Sequence, residues 1–167
     1  MSPAPTGSVN RTPDGFDLVV PRTIRAPLED VWASVTEPDR TARWFGSWRG
    51  EPGEGRTIEL QMGFEEDAPW GEVRIEVCEP PRRLAITMVD DHGNWHLEMQ
   101  LSQVDAGTEI RLVQHLTDAS GVGDVGPGWE YYLDLLVAAH DGLPLPEFDD
   151  YYPAQAEHYT SAAARAV

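Results

Sequence analysis

Apolar positions recur at helical spacing over residues 128–142, where Trp129, Tyr132, Leu133, Leu136, Val137 and His140 fall at i, i+3, i+4, i+7, i+8 and i+11. That period marks one broad apolar face of a helix. Pro127 suits a first helical position and Gly142 the residue after the last turn, so the expected helix is punctuated at both ends. Upstream the period falls to two. Phe16, Leu18, Val20, Arg22 and Ile24 share one face of a first strand, and Pro21 on the other face hints at an edge or a bulge. Leu28, Val31, Trp32 and Val35 then predict a short helix after Ala26-Pro27; Thr36, with Glu37, Pro38 and Asp39 behind it, starts a second that ends at Trp44-Phe45.

The remaining pattern is strand. A weak one spans 48–51, and a better one spans 56–64 with Ile58, Leu60, Met62 and Phe64 on one face. Three more alternate cleanly: Val73, Ile75 and Val77; Leu84, Ile86 and Met88; Trp95, Leu97, Met99 and Leu101. A last strand, 108–116, puts Ile110, Leu112, Gln114 and Leu116 inward. The turns between them are short, as antiparallel hairpins require. A sheet with one apolar face must be covered, and the 128–142 helix is the available cover. Function is then expected in the space between helix and sheet. Residues 1–13 are expected to be disordered, 14–142 to form the domain, and 143–167 to be a Pro-containing linker and an Ala-rich helical tail in which Tyr152, Ala156 and Tyr159 can dock.

Composition narrows the partners. The chain of 167 residues carries a formal charge of -17, and all its basic residues are Arg. Nucleic acid and anionic membrane surfaces are therefore disfavoured as partners. Cys78 is the lone cysteine, no apolar run approaches a membrane span, and residues 1–10 lack the basic and apolar regions of a secretory signal. A cytoplasmic protein is expected, as monomer or homodimer.

The order strand, two short helices, further strands and one long C-terminal helix resembles the helix-grip fold of the START-like (SRPBCC) superfamily. At residue level it is similar to the activator-of-heat-shock-ATPase-like branch. Carrying stretches are 22–32, Trp44-Phe45, Gly71-Glu72-Val73 with 79–84, 107–112 and Gly128-Trp129. The resemblance implies an α+β fold with a curved antiparallel sheet wrapped around the C-terminal helix, and an internal cavity for apolar small molecules. Some branches use that cavity to cyclise or dehydrate polyketide-like substrates, while many bacterial members have no assigned chemistry. Relatives often carry a His or an acid late in the last strand on the inward face; Gln114 stands here instead, which counts against acid–base catalysis.

Residue by residue, Gly121-Val-Gly-Asp-Val-Gly126 spells G-x-G-x-x-G. A dinucleotide site needs a parallel strand after the helix, and none follows, so a flexible loop before the helix is expected. His92 and His96 beside Asp90 and Asp91 are read as solvated turn residues, and His115 as lying on the outer face. Glu130, Asp134 and Asp141 are read as a solvated helix face. Cys78 shares outer parity with Glu76 and is assigned no chemistry. Arg22 lies on the apolar face, where it either pairs at the sheet edge or with a carbonyl, or anchors a ligand.

The expected function is binding of a small hydrophobic molecule without covalent chemistry, with no cofactor, metal or catalytic residue assigned. Its candidate residues are Arg22, Trp44, Met62, Met88, Trp95, Met99, Gln114, Trp129, Tyr132 and Leu136, in a pocket of roughly 300 to 1,000 Å³. One alternative is a polyketide cyclase, aromatase or dehydratase using His140, Tyr132 and Arg22. The other is a chaperone-associated or stress-response interaction module.

Overall fold

The computed structural model describes residues 3–90 and 93–167. Asp91 and His92, read above as turn residues, lie outside them. Strands β1 (Ser8–Thr12) and β2 (Gly15–Ile24) are followed by helices α1 (Leu28–Thr36) and α2 (Pro38–Thr41). Then come β3 (Gly46–Arg49), β4 (Thr57–Met62), β5 (Trp70–Glu79), β6 (Arg83–Asp90), β7 (Gly93–Val104) and β8 (Gly107–Leu116). Helix α3 (Val122–Asp141), a short 3₁₀ turn at Phe148–Asp150 and helix α4 (Ala156–Ala166) complete the chain.

Every strand pairing is antiparallel, and the eight strands run β1-β2-β8-β7-β6-β5-β4-β3. The sheet curls without closing, and α3 lies along its concave face. This is the α+β helix-grip fold that the resemblance implied. Inward residues of the central strands, Leu18, Val20, Leu97, Leu101, Ile110 and Leu112, are buried together with Trp129, Leu133 and Leu136 of α3. Pro21 lies past the reach of β1, whose pairing stops at Val19, so β2 is itself the edge where its missing N–H would point.

Local expectations are corrected at three places. Residues 8–12 of the segment expected to be disordered form β1, with Val9 buried. The segment is poor in apolar surface of its own; it is held instead by long-range partners, since the backbone N–H of Thr6 and of Gly7 donate to Glu130 of α3. The expected loop at 121–126 is the first part of α3, so Pro127 sits inside the helix rather than at its start. Its glycines serve packing. A Cβ on Gly123 would come within 2.8 Å of the Thr160 methyl, and one on Gly126 would overlap the ring of buried Tyr159. The two glycines let α4 lie directly on α3. The helix ends, as its sequence implies, on Gly142 in the left-handed conformation, φ 68°, donating to Ala138.

The third correction is of register. A bulge between Ile75 and Val77 shifts the pairing of β5 with β6, so that Cys78 stands opposite Leu84. One extra residue reverses the parity of everything after it. Cys78 therefore takes the parity of the concave face and not that of Glu76, and burial, with Glu54 nearby, pushes its thiol up.

Candidate functional site

Between α3 and the concave face of the sheet lies an apolar cavity of about 70 Å³. Val35 of α1, Thr41 of α2 and the turn residues Trp44 and Phe45 close one side. Leu84 and Ile86 of β6, Leu97 and Met99 of β7 and Leu112 of β8 form the sheet wall, and Trp129 and Leu133 of α3 the roof. None of these lining side chains titrates in the physiological range, and the Thr41 hydroxyl is already committed to the Gly46 carbonyl at 2.8 Å. The volume is well below the roughly 300 to 1,000 Å³ typical of drug-sized ligand sites.

An aromatic cluster fills the neighbouring space. Trp129 lies between Phe45, Tyr132 and Trp95, with ring centroids at 6.3, 5.8 and 6.3 Å. Each polar edge of this cluster has a defined fate. The Trp129 indole donates to Gln114 Oε1 at 2.7 Å, and the Trp44 indole to the Ser34 carbonyl at 2.8 Å. Tyr132 donates its hydroxyl to Glu65 at 2.7 Å, and burial followed by that carboxylate pushes its pKa up. The Trp95 indole N–H is buried with no acceptor among the described residues. A buried donor left so costs about 1 to 3 kcal/mol.

Residues 25–141 match the family model described as activator of Hsp90 ATPase homolog 1-like protein. The chain belongs to that family. Among solved structures, the crystal structure of CalU16 from Micromonospora echinospora has 28% identity and a TM-score of 0.74, with 98% of each chain covered. A solution structure of a Bordetella parapertussis protein has 25% identity and a TM-score of 0.70, covering 96% of this chain and 94% of that one. DynU16, a protein of the dynemicin biosynthetic locus, has 21% identity and a TM-score of 0.67, with 82% of this chain and 50% of that one covered. No curated protein matches the chain.

Within this family member the expected site residues divide into groups. Trp44, Met99 and Trp129 line the cavity. Gln114, Trp95 and Tyr132 form a layer behind Trp129 through the contacts above. Met62 and Met88 are half-buried at the margin of the core and do not line the cavity. Leu136 faces a second, polar pocket. Val35, Leu84, Ile86, Leu97, Leu112 and Leu133 also line the cavity; periodicity places them inward, though they are not among the expected binding residues. Strand parity is the signal for the four sheet residues and helical spacing the signal for Val35 and Leu133.

Arg22 is the clearest departure from a ligand-anchoring role. Its guanidinium bonds Glu130 at 2.9 Å and Asp134 at 2.7 Å on α3, and also the Thr6 hydroxyl and the Pro21 carbonyl, each at 2.7 Å. The reading of Glu130 as solvated is corrected at the same time. Glu130 is fully buried and accepts from Thr6, Gly7, Tyr159 and Arg22. Burial alone would raise its carboxyl, but hydrogen bonds from Thr6 and Tyr159 and the Arg22 charge hold it below the usual carboxylate range. Asp134 likewise accepts from the Tyr151 hydroxyl at 2.6 Å. Thr6, Arg22, Tyr151 and Tyr159 all lie outside the span matched by the family model, so this network ties the flanking segments to α3 within that span.

Proposed function

We propose that this protein binds a small, largely apolar molecule in the cavity between the sheet and α3. The observation that carries the reading is an interior wall made of leucines, methionine and tryptophans, with the half-buried Leu84, Ile86 and Met88 of β6 beside it. Inward residues of a central strand that remain half-buried mark apolar surface that the core has not consumed. In its present form the cavity is small, and a ligand gains room by moving side chains. Met99, Met88 and the Trp95–Trp129 pair supply that adaptability, since thioethers repack at little cost. The buried Trp95 N–H suits a ligand acceptor such as a carbonyl or ether oxygen. The setting of DynU16, a protein of the same fold, in a biosynthetic locus is in keeping with a small-molecule ligand.

Extraction of the purified protein with organic solvent, followed by mass spectrometry, tests the reading. Recovery of an apolar molecule from wild type and its depletion from Val35→Phe, which fills the cavity from α1, is the expected result. Equal recovery from both would place the molecule elsewhere and overturn the assignment.

A further inference from the structure

At the C-terminal end of α3 a second pocket of about 230 Å³ opens against α1 and the turn after α2, and its polar lining is Asp30, Ser34, Arg40, Arg43 and His140. Trp44 belongs to this pocket and to the apolar cavity alike. One indole thus separates a charged chamber from an oily one.

Most of the charges in the chamber are already paired. Arg40 bonds Asp30 at 2.9 Å and the Ser34 hydroxyl at 2.6 Å. His140 bridges Asp30 at 3.0 Å and Asp141 at 3.1 Å. Arg43 has no ion-pair or side-chain hydrogen-bond partner among the described residues, and it is exposed at the pocket rim. An arginine facing a polar chamber, with nothing to neutralise it, presents a fork of donors that matches a carboxylate. A single negative charge suits it best. The flanking Asp30 and Asp141, and a chain of formal charge -17, oppose a dianion such as a phosphate monoester.

We propose that this pocket receives the carboxylate of an amphipathic acid, held by Arg43, while the carbon skeleton of the same molecule passes Trp44 into the apolar cavity. The inference rests on the apolar-ligand reading above and specifies its chemical class: a compact monocarboxylic acid with a planar or acyl body. The skeleton passes only if the Trp44 indole turns aside and gives up its bond to the Ser34 carbonyl; Arg40 bonds the hydroxyl of that same serine, so the partition is coupled to the charged cluster.

The test compares 2-naphthoate with its uncharged methyl ester by calorimetric titration, on wild type and on Arg43→Gln. Because Arg43 is exposed and unpaired, the variant should melt with wild type. Wild type should bind the acid about tenfold more tightly than the ester, one charge-assisted contact's worth, and Arg43→Gln should abolish that difference and leave the ester unaffected. A rise in salt should weaken only the acid. Equal binding of acid and ester by wild type, or an acid preference that survives in Arg43→Gln, overturns the carboxylate site and leaves the apolar cavity standing. Binding of neither compound overturns both.

Discussion

Glu130 shows how much of this molecule depends on single side chains. Its carboxylate is buried, and its partners come from the N-terminal segment, β2 and α4. Removing one member of a buried ion pair leaves the other charge uncompensated and costs about 3 to 5 kcal/mol. Arg22 keeps Asp134 at 2.7 Å, so Glu130→Gln should lower the melting temperature by less than that full penalty, through the charge-assisted bonds that Thr6, Gly7 and Tyr159 lose; a melt indistinguishable from wild type would mean that the network is not formed in solution. His140 contributes through pH. Burial lowers its pKa, but the hydrogen bonds it donates to Asp30 and Asp141 outweigh that and raise it above the ordinary imidazole value, while Asp30 is held down, first by His140. A raised histidine gives stability that is complete below its unfolded value and is lost as pH rises through its folded value. Asp30 gives stability that is lost as pH falls through its own lowered value. The melting difference between wild type and His140→Asn should therefore be largest in mildly acidic solution and shrink above neutrality. A difference that grows with rising pH would contradict the pairing.

At the level of elements, α3 is gripped from two sides. The sheet takes its aromatic and leucine face, and α4 takes the face bearing Gly123 and Gly126. Two glycines of one helix should then respond in opposite directions. Gly126→Ala would drive a methyl into the Tyr159 ring, whereas nothing lies within 4 Å of a Cβ on Gly128. Gly126→Ala should destabilise the protein and expose 143–167 to protease. Gly128→Ala should raise stability by about 0.5 to 1 kcal/mol through helix propensity. Melts and limited proteolysis of the pair check this; destabilisation by both would place Gly128 in a contact absent from this structure. The same helix shows what was legible in the sequence. Periods of two and 3.6 recover seven of the eight strands and the aromatic face of α3, because burial against a sheet imprints on every turn. The second buried face of α3 was not legible. Glycine reads as a loop and glutamate as surface, unless the residues packed against them, Tyr159 and Arg22 at distant positions, are known. Cys78 was misplaced for a related reason, since a bulge leaves no mark in a short alternating run. The cavity wall was legible as parity, but not which inward residues adjoin empty space, which depends on how much of the sheet α3 covers.

For the whole molecule, no helix among the described residues is long and apolar enough to cross a membrane. The unpaired edges β1 and β3 lie at opposite ends of the sheet order, and the interior between them holds an apolar cavity beside a charged one. On the function proposed above, that arrangement would receive an amphipathic small molecule with its apolar body under α3. Tryptophan emission reports on it directly, because Trp44 and Trp129 line the cavity and Trp95 stands behind them. Methyl decanoate, which carries a carbonyl acceptor and no charge, is titrated into wild type and into Val35→Phe. Wild type should show a saturable change in tryptophan emission, and Val35→Phe should bind at least about tenfold more weakly while melting no lower than wild type, as filling an empty apolar space requires. An emission unmoved by the ligand, or a saturable change that Val35→Phe leaves untouched, would contradict the assignment of the cavity as the binding site.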